Sequence, residues 1–146
     1  MAQITRTDDI TTCLQIRRVV FIDGQNVPEP EEIDGDDPNC IQYLATAKGA
    51  PAATARVKPL GKKAKIQRVA VLGTHRGTGL GAELMRFILT DLRADFDEAV
   101  LGSQLHAIGF YEKLGFEVFG PEFDDAGIPH RHMLLKLEEK SSWRGK

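Results

Sequence analysis

The sequence predicts an α/β (α+β) fold in which strands, three of them in an antiparallel meander, combine with helices. Three observations predict it. Residues 8–22 and 78–94 repeat apolar side chains at helical spacing, whereas shorter runs elsewhere read as strands. Three of those runs, 41–47, 52–57 and 65–71, follow one another with only turn residues between them, as in an antiparallel meander. A glycine cluster, Arg76-Gly77-Thr78-Gly79-Leu80-Gly81, then stands at a junction between strand and helix. The 146 residues, 16.1 kDa, are the size of one domain. That domain is expected over residues 1–137, with the charged segment 138–146 expected to fray and its Trp143 without an assigned role.

The first 22 residues read as a short strand followed by a helix capped by Asp8 or Asp9. Ile10, Leu14, Arg17 and Phe21 recur on one face of that helix, and Arg17 is a charge within the apolar stripe. Two explanations stay open for it: a buried ion pair with a later acid, or an anchor for an anionic group of a substrate. Residues 23–40 are rich in proline and acid, with six carboxylates between Glu29 and Asp37, and keep no periodicity. Such a stretch is either a solvated loop or a cover over a site.

The meander carries six basic residues and no acid between Arg56 and Arg68. Most such runs are solvated hairpin tips, and the alternative is a role near a polyphosphate. Leu80, Leu84, Phe87, Ile88 and Leu92 mark one face of a helix running to Ala94. Residues 98–103 read as a buried strand, and Ala107–Leu114 as a short helix closed by Gly115. A strand at 116–119, a loop containing Gly120-Pro121 and Gly127-Ile128-Pro129, and a last strand at 132–137 complete the chain.

Composition excludes several classes of function. Nineteen basic residues against 21 acidic ones give a net charge of −2, with no surplus for a nucleic-acid backbone. Cys13 and Cys40 have neither CxxC spacing nor an adjacent His cluster, which argues against structural zinc and for a reducing, cytoplasmic setting. The longest apolar run, Val19-Val20-Phe21-Ile22, is too short for a membrane span, and the first residues lack the apolar core of a signal peptide.

The glycine cluster is the feature that carries chemistry. Glycines there allow close backbone approach, and the amides of a helix's first turn lack intrahelical partners, so the junction is an anion site. A P-loop would need Lys-Ser/Thr after the last glycine, where Ala82-Glu83 stand instead. A dinucleotide fingerprint needs G-x-G-x-x-G, and the spacing here is G-x-G-x-G.

Arg76-x-x-Gly79-x-Gly81, the strand 69–71 before it and the helix after it resemble the pyrophosphate loop of the GNAT acyltransferases. Ala107-Ile108-Gly109-Phe110-Tyr111-Glu112-Lys113-Leu114-Gly115-Phe116 resembles the A-x-x-F-Y-x-x-x-G-F segment of the same family. Arg17-x-x-Val20-Phe21, Gln25-x-Val27-Pro28, Glu32-x-Asp34 and Gly127-Ile128-Pro129-His130 look like a small bacterial branch of it, so the resemblance covers residues 3–137. Gly24 stands where that branch often has Glu, and Gln104 where many members have Asn.

The resemblance implies a central mixed, mostly antiparallel sheet flanked by helices, with a V-shaped splay between two parallel strands, here the 69–71 and 100–102 segments. Acetyl-CoA would lie in the splay, held by Val69, Ala70, Val71, Arg76, Gly77, Thr78, Gly79, Leu80, Gly81 and Ala82, with Gln104 beside it. Arg17 and Glu32 would serve the acceptor side. Tyr111 matches the family's general acid. Full transfer from a phenol of pKa about 10 to a thiolate of about 8.5 is uphill by roughly 2 kcal/mol. His130 and His132 alternate onto one face, and in the branch resembled the His after Pro lines the acceptor site, which favours His130 as the base. His75 and His106 are expected as cofactor neighbours or surface residues.

The function expected is transfer of an acetyl group to a primary amine of a small metabolite in a ternary complex. A non-catalytic acyl-CoA sensor and a protein N-acetyltransferase are the alternatives. The acidic 29–37 stretch favours a cationic acceptor, and Arg17 favours one that also carries an anion. Homodimerisation is common among proteins of this kind and is left open.

Overall fold

A computed structural model describes residues 2–137. The segment 138–146 with Trp143, for which fraying is expected, lies outside the described residues. In chain order the elements are β1 (Ala2–Thr7), α1 (Ile10–Arg17), α2 (Glu29–Glu32), β2 (Ile41–Ala47), β3 (Ala50–Leu60), β4 (Lys63–Val71), α3 (Leu80–Leu92), β5 (Glu98–Gln104), α4 (Ile108–Glu112), β6 (Glu117–Asp125) and β7 (Ile128–Lys136). The strands form one sheet in the order β1-β2-β3-β4-β5-β7-β6, antiparallel throughout except for β4 and β5. A parallel pair needs a crossover, and α3 supplies it.

Asp9 caps α1 by accepting from the Thr12 amide at 3.1 Å and the Thr12 hydroxyl at 2.6 Å. The predicted single helix to residue 22 is instead α-helical only to Arg17, after which Arg18–Asp23 widen into a π-helical turn. Its buried face is Cys13, Ile16, Arg17 and Val20, so Arg17 does face inward. Ile16 and Val20 meet Ala70, with Leu44 and Leu72 at the edge of the cluster. Tyr43 and Ala45, which alternate with Leu44, join the main core formed with α3. The two helices therefore cover opposite faces of the sheet.

Three expectations need correction. Phe87 is exposed, and Met85 and Leu89 complete the buried stripe of α3 in its place, because the helix presents a wider face to the sheet than the i+3/i+4 series marked. β3 continues through Pro59, where β2 has already ended at its Ile41–Val57 pair and no ladder bond is lost. The predicted loop at 120–131 is mostly strand: β6 and β7 form a long hairpin turning at Ala126-Gly127, with an irregular register between Phe119 and Phe123.

One irregularity shapes the sheet centre. Thr54 pairs with Ala70 and Arg56 with Gln67, so Ala55 faces two residues of β4, Arg68 and Val69. This is a β-bulge, and Arg68 adopts a left-handed φ of 56° within it. β4 and β5 pair only from Lys63–Glu98 to Ile66–Leu101. Past the bulge the two strands diverge and leave the splay that the resemblance implied.

Candidate active site

A cavity of about 430 Å³ occupies the splay. Ile66, Val69, Val71 and Leu101 of the two parallel strands line it together with Arg76 and Tyr111 and with Phe21, Gln25, Glu32, Phe123, His130 and His132, whereas Ala70 and Gly77 to Ala82 do not.

The cofactor side begins with backbone. The Leu72 amide bonds to the Ala52 carbonyl at 2.9 Å, so strand alternation turns the polar groups of Val71 and Val69 away from β3 and into the splay. The Val71 carbonyl accepts from Arg76 Nε at 3.2 Å, which ties the loop to the strand. Gly77 and Gly79 hold left-handed φ values of 77° and 87°, and Gly79 caps α3. The first helical amide to find a partner is that of Glu83, on the Gly79 carbonyl at 3.0 Å. The amides of Leu80, Gly81 and Ala82 thus remain as donors at the positive end of a 13-residue helix. A donor-only cradle of this kind suits a pyrophosphate. A Cβ on Gly81 would meet Phe110 and Val71 at an ordinary contact distance of 3.6 Å, so packing does not demand glycine there.

Tyr111 sits on α4 with its ring edge-on to Phe110 and Phe116, at centroid distances of 5.0 and 6.0 Å. Burial pushes its phenol up to about 12. The group therefore stays protonated at neutral pH and can act only as a donor.

On the opposite wall His130 is buried, and its Nδ1 lies 2.7 Å from the Ile128 carbonyl. A carbonyl only accepts, so Nδ1 carries the proton and a neutral ring keeps its lone pair on Nε2. That tautomer is the one a base requires. His132 lines the same cavity, as alternation predicts, but its ring is stacked between Phe119 and Phe123.

Arg17 is placed differently from the acceptor-side role. It is 1% exposed and does not line the cavity. Its Nε and Nη1 each bond, at 2.5 Å, to Glu32 Oε2 and Asp37 Oδ1, and Nη2 reaches the Glu32 carbonyl at 2.9 Å. The ion-pair explanation is the one this geometry supports. Glu32 lines the cavity, yet it is held by Arg17 and, at 3.1 Å, by Arg68. Burial outweighs these cations and raises its carboxyl above the usual range.

Two further carboxylates of the acidic stretch are also used internally. Asp34 receives both terminal nitrogens of Arg56, at 3.1 and 2.8 Å, and Asp36 pairs with Lys58 at 2.9 Å. The hydrogen bonds from Arg56 hold the Asp34 carboxyl far below the ordinary value. Arg56 and Arg68 are thus not part of a solvated basic hairpin tip. They pin the acidic segment across the sheet, and neither pairing carries a local sequence signal.

Gln104 lines the mouth of the splay, where its amide donates to Gln25 Oε1 at 2.9 Å and its oxygen faces His106 Nε2 at 2.8 Å. His106 lines the cavity as well, whereas His75 lies in the turn before the glycine loop and does not. Sequence reasoning missed Arg68 as the bulge residue and Gly102 and Phe123 as lining of the cavity beside His130 and His132. Only the basic run hinted at the first.

Residues 28–137 match the acetyltransferase (GNAT) domain family. YjcF of Bacillus subtilis, described as an uncharacterized N-acetyltransferase, is 34% identical over 131 residues, which cover 87% of this chain and 92% of that protein. The crystal structure of Escherichia coli ElaA superposes with a TM-score of 0.80 at 27% identity, covering 92% of this chain and 97% of the other. An acyl-CoA N-acyltransferase from Pseudomonas aeruginosa gives the same TM-score, identity and coverage. With the family matched over three quarters of its length and its fold shared with these structures, the chain belongs to the GNAT acetyltransferases.

Proposed function

We propose that the protein moves an acetyl group from acetyl-CoA to a primary amine of a small metabolite by direct attack within a ternary complex. The observation that carries this reading is the convergence on one cavity of Arg76 at the head of the glycine loop, the strand residues Val69 and Val71, a protonated phenol and a histidine of the basic tautomer. Amides from Gly77 to Ala82, with Arg76, would hold the pyrophosphate. Val69 and Val71 would pair with the pantetheine amides, and one amide there would polarise the thioester carbonyl. Bound acetyl-CoA supplies the activated acyl carbon.

His130 Nε2 takes the proton of the attacking amine as the C–N bond forms, and Tyr111 gives its proton to the departing sulfur as the C–S bond breaks. With the phenol raised to about 12 and a thiol near 8.5, completed transfer would be uphill by roughly 5 kcal/mol. The proton must therefore move together with C–S cleavage. Gln25, Glu32 and Val27 close the acceptor side, an enclosure suited to a small amine rather than a peptide.

The test is thiol release from acetyl-CoA across a panel of amino acids, amino sugars, polyamines and peptides. Amine-dependent release of free thiol, with one acetylated small amine formed per thiol, is the expected result. Tight acetyl-CoA binding without release for any amine would turn the reading to a binding module. Release with peptides alone would turn it to protein acetylation.

A further inference from the structure

The wall that carries His130 is built on an unusual seat. Gly102 of β5 pairs with His132 of β7, and a Cβ on Gly102 would lie 3.0 Å from Phe123 Cζ. The ring of Phe123 therefore lies over the bare glycine. It stacks on His132 at 4.1 Å and 17°, and rests against His130 at 5.6 Å and 31°. The hairpin register brings it there. β6 advances four residues from Phe119 to Phe123 while β7 moves back two from His132 to His130, and Gly120 takes a φ of 72° in the surplus segment. Both phenylalanines consequently share a face with both histidines. An unbulged strand would have put residue 121, a proline, opposite His130.

The bond from His130 Nδ1 to Ile128 fixes one point of the imidazole but leaves the ring free to tilt about it. The Phe123 ring, itself held by its stack on His132, stands tilted beside the imidazole and limits that freedom on one side. We infer that Phe123, seated on Gly102, is a positioning residue that holds the His130 imidazole at its working angle. This rests on the reading of His130 as the proton acceptor. Phe123 moves no proton. Its contribution is angular, and a base displaced by about 1 Å can lose up to a hundredfold in rate.

Two measurements test the inference. The first is steady-state thiol release, with an amine that turns over, for Phe123→Leu, Phe123→Tyr, Gly102→Ala, His130→Ala and the double variant Phe123→Leu/His130→Ala. Phe123→Leu and Gly102→Ala are expected to lower kcat about tenfold with KM for acetyl-CoA within about twofold, and Phe123→Tyr to keep most of kcat. In the His130→Ala background the Phe123→Leu effect should shrink below about twofold, because the phenyl acts through the imidazole. The second is NMR of the histidine ring protons in the free protein, in which Phe123→Leu should move the His130 resonances by loss of the ring current while the fold is kept.

Equal losses with and without His130, or unmoved His130 resonances, would overturn the inference. A slow His130→Ala alongside a normal Phe123→Leu would overturn it and leave the proton-acceptor reading intact. Full turnover by His130→Ala would remove both. Where no amine turns over, the NMR result decides alone.

Discussion

Arg17→Met tests whether the buried ion cluster holds the segment that covers the site. Arg17 is 1% exposed and gives three hydrogen bonds, to the Glu32 carboxylate, the Asp37 carboxylate and the Glu32 carbonyl. Methionine keeps the unbranched stem and its packing while removing the charge and every donor. Deleting one partner of a buried pair costs about 3–5 kcal/mol, since the other charge is left without compensation. Here Arg68 remains on Glu32 at 3.1 Å, and Arg56 and Gln42 remain on Asp37 at 3.3 and 3.0 Å. The lower end, about 3 kcal/mol, is therefore expected. For 146 residues the unfolding entropy is roughly 0.3 kcal/mol per degree, so the thermal midpoint should fall by roughly 10 °C. Circular dichroism melts measure this, and Arg17→Lys should show an intermediate loss because one ammonium cannot hold both acids in the fork geometry. In the kinetic assay KM for the amine should rise while acetyl-CoA affinity holds. A midpoint change under about 3 °C, or an unchanged KM for the amine, would refute the view that these bonds secure the cover.

Tyr111→Phe should lower turnover at least about tenfold in steady-state assays, with acetyl-CoA affinity unchanged, and wild-type turnover would remove its role as acid. Because its phenol is pushed up to about 12, the protein should show no alkaline loss of rate assignable to Tyr111 below pH 10. Gly79→Ala places a side chain at a φ of 87° in open space, so its cost is conformational, about 1 kcal/mol. Calorimetric titration should find CoA bound about fivefold more weakly, and equal affinity would mean that the loop does not hold the ligand. Asp34 and Asp37 are held below the ordinary carboxylate value, Asp34 chiefly by hydrogen bonds from Arg56, Asp37 by those from Arg17 and Gln42 against the opposing effect of burial. Their stabilisation is complete above the unfolded value of 3.8 and is lost as pH falls through the folded ones. Glu32, raised by burial, has the opposite sign, so its contribution is present below 4.5 and lost as pH rises through the folded value. Urea midpoints should consequently drop between pH 4 and pH 2, and Asp37→Asn should flatten part of that drop. A pH-independent midpoint would show that the cluster is not ionised as described.

By itself the sequence determined what depends on neighbours along the chain. The meander of β2 to β4, the glycine loop opening α3 and the segment bearing Tyr111 are each written in contiguous residues whose spacing carries its own physical reason. It also raised the right question about Arg17, since a charge in an apolar stripe must be compensated somewhere, though it could not say by which acid. The tertiary structure decided the rest. The bulge at Arg68 that opens the splay depends on the register between β3 and β4, and an extra residue in one strand leaves no periodic trace. The sharing of Arg17, Arg56, Arg68 and Lys58 among four carboxylates joins residues up to 36 apart, among many pairings that the charges alone would permit. Arg56, Lys58 and Arg68 of the basic run meet Glu32, Asp34, Asp36 and Asp37 of the acidic one within the fold. Likewise Gly102 reads in sequence as one more small residue of a strand. It becomes the seat of Phe123 only when the β6–β7 hairpin folds its ring across β5, because a side chain's neighbours across a sheet are set by pairing rather than by sequence.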